Sequence, residues 1–140
     1  MNQRELMYGN FVHIISRRGE VHLPSPDIFK ILTFGFDVEV IPYNKVPAQV
    51  EKWIKIKARD ISPISITKEI LKDLFLFIEE DDNWLEILVG TTRYRVKLSE
   101  NVTNCWRFCI DDHFITNNLE YIHQLQNLYF ILTNKELQWK

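Results

Sequence analysis

Cations at every second position are the pattern in this chain whose type and spacing point to chemistry. Lys55, Lys57 and Arg59 alternate with Ile54, Ile56 and Ala58, and Arg93, Arg95 and Lys97 alternate with Tyr94, Val96 and Leu98. Side chains two apart on a strand share a face, so each run lays its cations along one side. Were the two runs adjacent, they would form a basic surface with Tyr43 and Trp53 at its edge, suited to gripping phosphates and stacking bases. The wet face of any half-buried antiparallel strand shows the same alternation. The formal net charge of −2 adds no overall attraction to nucleic acid.

Other reactive residue types are present without assembling into a motif. His13, His22, His113 and His123 are scattered, and no Gly-x-Ser-x-Gly elbow accompanies them. Cys105 and Cys109 lie near Asp111-Asp112-His113, which together make the one cluster of metal-ligand types. Trp106, Phe108 and Ile110 make that segment a strand, on which residues four apart stand about 13 Å apart, too far for one tetrahedral zinc. The two thiols read instead as small apolar side chains beneath the final helix. An enzyme would need His113 and a carboxylate converging in a deep pocket. Gly9, Gly19, Gly35 and Gly90 stand in no Gly-x-Gly or Walker spacing, which excludes phosphate-binding loops. Glu79-Glu80-Asp81-Asp82 lacks the spacing of a calcium loop and reads as a solvated hairpin turn. No cofactor or metal is expected.

The elements that must position these residues are mostly strands. Phe11-Val12-His13-Ile14-Ile15 and Val21-His22-Leu23, parted by Arg17-Arg18-Gly19-Glu20, predict an opening hairpin that Pro24-Ser25-Pro26 ends. Ile28 to Leu32 fits either a strand or a helical turn. Phe36 to Ile41 and Trp53 to Arg59 alternate as strands, so the first sixty residues predict a curved β unit of four or five strands. Thr67 is placed to cap a short helix from Lys68 to about Phe75, with Ile70, Leu71, Leu74 and Phe75 on its buried edge. Three strands follow, at Trp84 to Val89, Arg93 to Leu98 and Asn104 to Ile110, and Asp111-Asp112-His113 turns the chain. Asn117 or Asn118 is expected to cap a closing amphipathic helix. On it Leu119, Tyr121, Ile122, Leu125, Leu128, Tyr129 and Leu132 form an apolar stripe. Glu120, His123, Gln124, Gln126 and Asn127 fall mostly opposite, as a helix surface with local hydrogen bonds.

The fold class expected is therefore α+β: a small SH3-like or barrel-like N-terminal β unit, a short middle helix, antiparallel strands and a closing helix. At 140 residues, one domain over 1–140 is expected, mainly β over 1–60 and helix-strands-helix over 61–140. Its 13% aromatic content is ample for a core without metal or disulfide. Met1-Asn2-Gln3-Arg4-Glu5 is charged and no long apolar run follows, so neither leader nor membrane span is expected and a reduced, cytoplasmic setting follows.

Three blocks of sequence carry a resemblance. Arg4-Glu5-Leu6-Met7-Tyr8-Gly9-Asn10-Phe11-Val12 is similar to an "EL-x-x-GN-x-V" opening. Ile61-Ser62-Pro63-Ile64-Ser65-Ile66-Thr67-Lys68-Glu69-Ile70-Leu71 is similar to "I-x-PIPLTEEIL". Tyr121-Ile122-His123-Gln124-Leu125-Gln126-Asn127-Leu128-Tyr129-Phe130-Ile131-Leu132-Thr133-Asn134-Lys135-Glu136-Leu137 is similar to "YVHQLQNLYFALTGEEL". In that order they resemble a family of small proteins from Bacteroides-type gut bacteria and their prophages and mobile elements. The resemblance implies the barrel-like unit followed by helix, sheet and helix, and it implies no catalytic activity. The chain departs from the pattern at Leu74-Phe75-Leu76-Phe77, where the family has glycine-phenylalanine, and in a longer, proline-punctuated stretch over 24–53.

The function expected is a non-enzymatic protein-interaction module of phage or mobile-element origin, with an unspecified protein partner and no membrane. The alternative is a nucleic-acid-binding module using Lys55, Lys57, Arg59, Arg93, Arg95 and Lys97. Of the polar residues on the closing helix, His123 is the one singled out for a functional role, at the helix start beside the Asp111-Asp112 turn.

Overall fold

The computed structural model describes residues 6–14, 28–33, 37–43, 48, 50, 53–80, 84–98 and 105–139. The fold is α+β, with antiparallel strands, a barrel-like β unit and a C-terminal helix. The chain divides into two compact units. The first comprises Met1–Ile64 with Ile122–Glu136, and the second Ser65–Tyr121 with Leu137–Lys140.

In the first unit, β1 (Phe11–Ile14), β2 (Ile28–Thr33), β3 (Val38–Pro42), β4 (Ile54–Ile56) and β5 (Ile61–Ser62) pair in the order β4-β3-β2-β1-β5. Register sets Val12 opposite Phe29, Ile31 opposite Val40, Val38 opposite Ile56 and Ile14 opposite Ile61. One face of the sheet is therefore continuously apolar, and with Leu6 these residues form a core cluster. On the other face Phe11, Leu32 and Ile41 are buried as well, and the C-terminal helix lies against β1. Burial on both faces explains the unbroken apolar pairs Phe11-Val12, Ile31-Leu32 and Val40-Ile41. Ile28 to Leu32 thus resolves as strand. It is β2 and β5 that pair with β1, while Val21-His22-Leu23, expected to close a hairpin with it, lies outside the described residues. The strand expected from Trp53 to Arg59 ends at Ile56. Asp60 N–H donates to the Lys57 carbonyl at 2.8 Å and winds Ala58–Asp60 into a 3₁₀ turn. Arg59 belongs to that turn and not to a strand face.

In the second unit, Thr67 caps α1 (Lys68–Asp73), its side chain accepting from Ile70 N–H at 3.1 Å. The helix stops at Asp73, two residues short of the expected Phe75, which instead pairs with Trp139 across an isolated bridge. The sheet runs β10-β9-β8-β7-β6, with β6 (Ile78–Glu79), β7 (Trp84–Val89), β8 (Thr92–Leu98), β9 (Trp106–Ile110) and β10 (His113–Leu119). Leu85, Ile87, Val96, Trp106 and Phe108 are buried on one face, and the Trp106 indole N–H donates to the Ile66 carbonyl at 3.2 Å. Asp111 turns the chain into β10 with φ 51. β10 is a strand where a helix cap was expected: Asn117 and Asn118 lie within it, and the final helix begins only at Ile122.

That helix is α2 (Ile122–Thr133). It starts later than expected, since Leu119 closes β10 and Tyr121 bridges to Ser65. Its inner side is also not the expected one. His123 and Gln126 are buried with Ile122, Leu125 and Tyr129, whereas Leu132, assigned to the apolar stripe, is exposed with Phe130 and Ile131. The buried amide has work that an apolar side chain cannot perform. Gln126 Oε1 accepts from Phe11 N–H at 2.8 Å, and Gln126 Nε2 donates to the Gly9 carbonyl at 3.3 Å. Beside it, Asn10 Nδ2 donates to Asn127 Oδ1 at 2.8 Å. These bonds bridge more than a hundred residues of sequence and are not local. They satisfy backbone groups that burial would otherwise strand. Gly9 reaches this place at φ +85, a conformation that disfavours any side chain.

Candidate functional site

The tail residues that identify the resemblance prove to be packing and clamp residues, Ile122–Glu136 in the first unit and Tyr121 and Leu137 in the second. Leu125 and Tyr129 are buried, Gln126 and Asn127 bind the segment from Gly9 to Phe11, and Tyr121 belongs to a bridge. Gln124 and Leu128 are half-buried. His123, fully enclosed, offers no surface to a ligand.

The surface with chemical content lies on the second unit, on the face of its sheet opposite the core. Register places Trp84, Lys97 and Arg107 in one row across β7, β8 and β9. Glu86, Arg95, Cys109 and Phe114 form the next row across β7 to β10. Residues directly opposite share a face, so Arg93, Arg95 and Lys97 do form the expected stripe along β8. Three strand spacings, about 14 Å, separate β7 from β10. Yet the rings of Trp84 and Phe114 approach to 6.2 Å between centroids. Both side chains must therefore lean inward over β8 and β9. The Arg95 guanidinium lies 4.0 Å from the Trp84 ring centre, with Lys97 Nζ at 5.3 Å, and the Arg107 guanidinium is 5.5 Å from the Phe114 ring. Each such contact contributes about 0.5–1 kcal/mol when partly exposed.

Carboxylates engage one end of the stripe. Glu86 accepts two bonds from Arg93, at 3.1 and 2.9 Å, and Arg93 also reaches Glu80 at 3.0 Å. Arg95 contacts Glu80 at 3.0 Å through Nε and at 2.9 Å through Nη2. The Glu80 carboxyl is held below its ordinary value, first by its hydrogen bond with Glu86 and then by Arg95 and Arg93, against the opposing effect of burial. Glu79, facing the other way, is likewise lowered by hydrogen bonds from Lys72 and Lys68 on α1. The acidic run is thus not simply solvated at these two positions: Glu79 and Glu80 tie the β6 segment to its neighbours.

Apolar side chains flank this charged core without cover. Ile78 on β6 is 71% exposed, Leu88 on β7 61% and Phe114 53%. Ile78 pairs with Glu86 and Leu88 with Arg93, which puts both on the same face as the stripe.

The remaining candidates are placed as follows. Lys55 is exposed on β4, opposite Glu39, and Lys57 and Arg59 are exposed beyond the end of that strand, all in the first unit. Cys105 and Cys109 are both buried and reduced. Burial pushes both thiols up; at Cys105 the neighbouring Glu120 adds to it. Among the described residues no three His, Cys, Asp or Glu side chains converge as ligands for a metal, and no helix is long and apolar enough to cross a membrane.

No family model, curated protein or solved structure matches the chain.

Sequence reasoning found the β8 stripe but missed Trp84, Phe114, Arg107, Glu80 and Glu86 as its neighbours. A signal existed for part of this. Trp84, Glu86 and Leu88 alternate along β7 as the cations do along β8. Phe114 gave none, because no strand is expected between the Asp111-Asp112-His113 turn and a cap at Asn117 or Asn118.

Proposed function

We propose that this protein is a non-enzymatic protein-interaction module and that the outer face of its second sheet is the docking surface. The observation that carries the reading is the juxtaposition on one sheet face of exposed Ile78, Leu88 and Phe114 with an arginine stacked on Trp84. Tryptophan and arginine dominate the energetics of protein interfaces, and a rim of apolar side chains around them excludes water. Rings held in place by their own stacked cations lose little conformational freedom on binding, which favours affinity. The resemblance to proteins of Bacteroides-type bacteria and their mobile elements suggests a phage or mobile-element setting for the module.

The second reading, a single-stranded nucleic-acid platform, draws on the same cations and rings. It is the weaker because a base needs an open ring to stack on, and Trp84 already carries Arg95. Arg93 and Arg95 also have carboxylate partners that a phosphate would have to displace.

The test is affinity capture from cells that carry the gene, comparing the native protein with a folded Leu88→Asp/Phe114→Asp variant. A defined protein retained by the first and lost by the second supports the reading. Equal recovery by both, or recovery of none, sinks it. For the second reading, strongly salt-dependent binding of an oligothymidine that disappears when Lys55, Lys57, Arg93 and Arg95 are removed together would be required.

A further inference from the structure

We infer that the protein pairs with a second copy of itself through α2 and the loop clamped beside it, a surface of the first unit separate from the docking face of the second. Among the described residues of that unit, every large apolar side chain left exposed stands on one of two segments. Met7 and Tyr8 are in the loop before β1, and Phe130, Ile131 and Leu132 are near the end of α2. The bonds from Asn10 to Asn127 and from Gln126 to Gly9 hold these segments together. Phe130 and Ile131 follow Asn127 by three and four residues, so they stand one helical turn beyond that clamp. The patch is the outer consequence of a helix that buries His123 and Gln126 and turns three consecutive apolar side chains outward. Such a run is unfavourable in water unless something covers it. Two features select a second copy as the cover. First, neither segment is charged: no Asp, Glu, Lys or Arg occurs in 6–14 or in α2, in a chain that is 26% charged. A two-fold contact sets a patch against itself, where a charge near the axis would meet its like, so an uncharged apolar patch is complementary to its own copy. Second, the size fits. With Tyr8 61% and Ile131 73% exposed, the five side chains offer on the order of 500 Å² of mostly apolar area. That is about 60% of the ~800 Å² per partner of a standard interface, close to the apolar share of homodimer contacts. Lys135 and Glu136, exposed just beyond the helix, add one charge of each sign to the rim, where a two-fold lets each meet the other. A pair carries two docking faces, so a repetitive partner gains avidity without any new contact.

The experiment is sedimentation equilibrium of the full-length protein from about 1 to about 200 μM, a range that brackets the roughly 10 μM midpoint expected of a modest apolar contact. The native chain should pass from monomer to dimer and stop there, because a two-fold contact closes. Ile131→Asp changes both copies at once and should weaken pairing at least about tenfold. Tyr8→Asp should weaken it as well, whereas Leu88→Asp/Phe114→Asp, on the other unit, should leave it unchanged. Raising salt should not dissociate the pair, since the patch is uncharged. Each variant is checked for folding by its urea midpoint at about 1 μM, where native and variant chains are monomeric alike. If Ile131→Asp does not fold, Ile131→Gln takes its place with the same direction expected. A chain that is monomeric throughout the range, or that keeps growing past the dimer, overturns the inference. So does pairing that either Ile131→Asp or Tyr8→Asp leaves intact. Pairing lost only in the Leu88→Asp/Phe114→Asp variant places the contact on the second sheet and overturns the inference, while the docking reading keeps its own test by affinity capture.

Discussion

Replacing Gln126 by methionine should loosen the start of the chain, even though the methionine is as long, as unbranched and as suited to a helix. The Gln126 amide accepts from Phe11 N–H at 2.8 Å and donates to the Gly9 carbonyl at 3.3 Å, and Gln126 is 9% exposed. Methionine can do neither, so one buried donor and one buried acceptor lose their partner. Each stranded group costs about 1–3 kcal/mol. The shorter bond, to Phe11, carries the greater share, since a 3.3 Å contact is past the usual range for N–H···O. A total of about 2–4 kcal/mol is expected on these figures. Hydrogen exchange at the Phe11 amide gives the local readout: a loss of about 2 kcal/mol corresponds to roughly 30-fold faster exchange, tenfold for each 1.4 kcal/mol. Urea unfolding gives the global one. Ile131→Ala, at an exposed position of the same helix, serves as the control and should shift stability by less than about 0.5 kcal/mol. If the methionine variant protects Phe11 as well as the native protein does, the clamp does not hold the segment and the reasoning is refuted.

Further outcomes follow from other contacts. Thr67→Ala removes the acceptor for Ile70 N–H and should cost about 1 kcal/mol in urea unfolding, while Thr67→Ser should cost almost nothing. Glu79 and Glu80 have lowered folded values, so their ion pairs stabilise the protein above the ordinary carboxylate range and that stability is lost as pH falls through the lowered values. The urea midpoint should therefore decline on acidification below about pH 5, and Glu80→Gln should flatten part of that decline. Cys105 and Cys109 are buried, with thiols raised chiefly by burial. They should react slowly with a thiol reagent at neutral pH in the folded protein and at once in denaturant; equal rates would show that the burial is wrong.

How far the sequence could be read depended on whether a residue's partner was near it in the chain. The Thr67 cap and strands β7 to β9 rest on local patterning and were legible to within a few residues. Arg59 misled because the alternation of cations continues two steps beyond the strand, through Lys57 to Arg59, and nothing local marks the 3₁₀ turn that Lys57 and Asp60 close. β10 was invisible because its Asn117-Asn118 pair is poor strand material and good capping material, and only pairing with β9 makes it a strand. The largest reversal concerned α2. Binary patterning assigns glutamine and asparagine to water, but the buried backbone of Gly9 and Phe11 needed amides. The complementary signal lay at the other end of the chain, in Gly9-Asn10. At the candidate face, the cations of β8 were legible, whereas the rings that lean over them from β7 and β10 were set by tertiary geometry.

The clamp between Gly9-Asn10 and Gln126-Asn127 also bears on the order in which the protein can be completed. Synthesis delivers strands β1 to β5 first, but the groups that satisfy the Phe11 N–H and the Gly9 carbonyl arrive 115 and 117 residues later. The stretch from Ser65 to Tyr121 belongs to the other unit, whose hairpins form from contacts close in sequence and which Leu137–Lys140 complete. Both units thus wait for the C-terminal stretch, the first for Ile122–Glu136 and the second for Leu137–Lys140. Until α2 emerges, β1 with Phe11 lacks the helix beside it, so a nascent chain carries an unfinished apolar sheet of the kind that invites mispairing. Closing so long a loop makes this step slow relative to the local hairpins of the second unit. A chain stalled or cut before residue 122 would lack α2 from the first unit and, from the second, Leu137–Lys140 with the Phe75–Trp139 bridge.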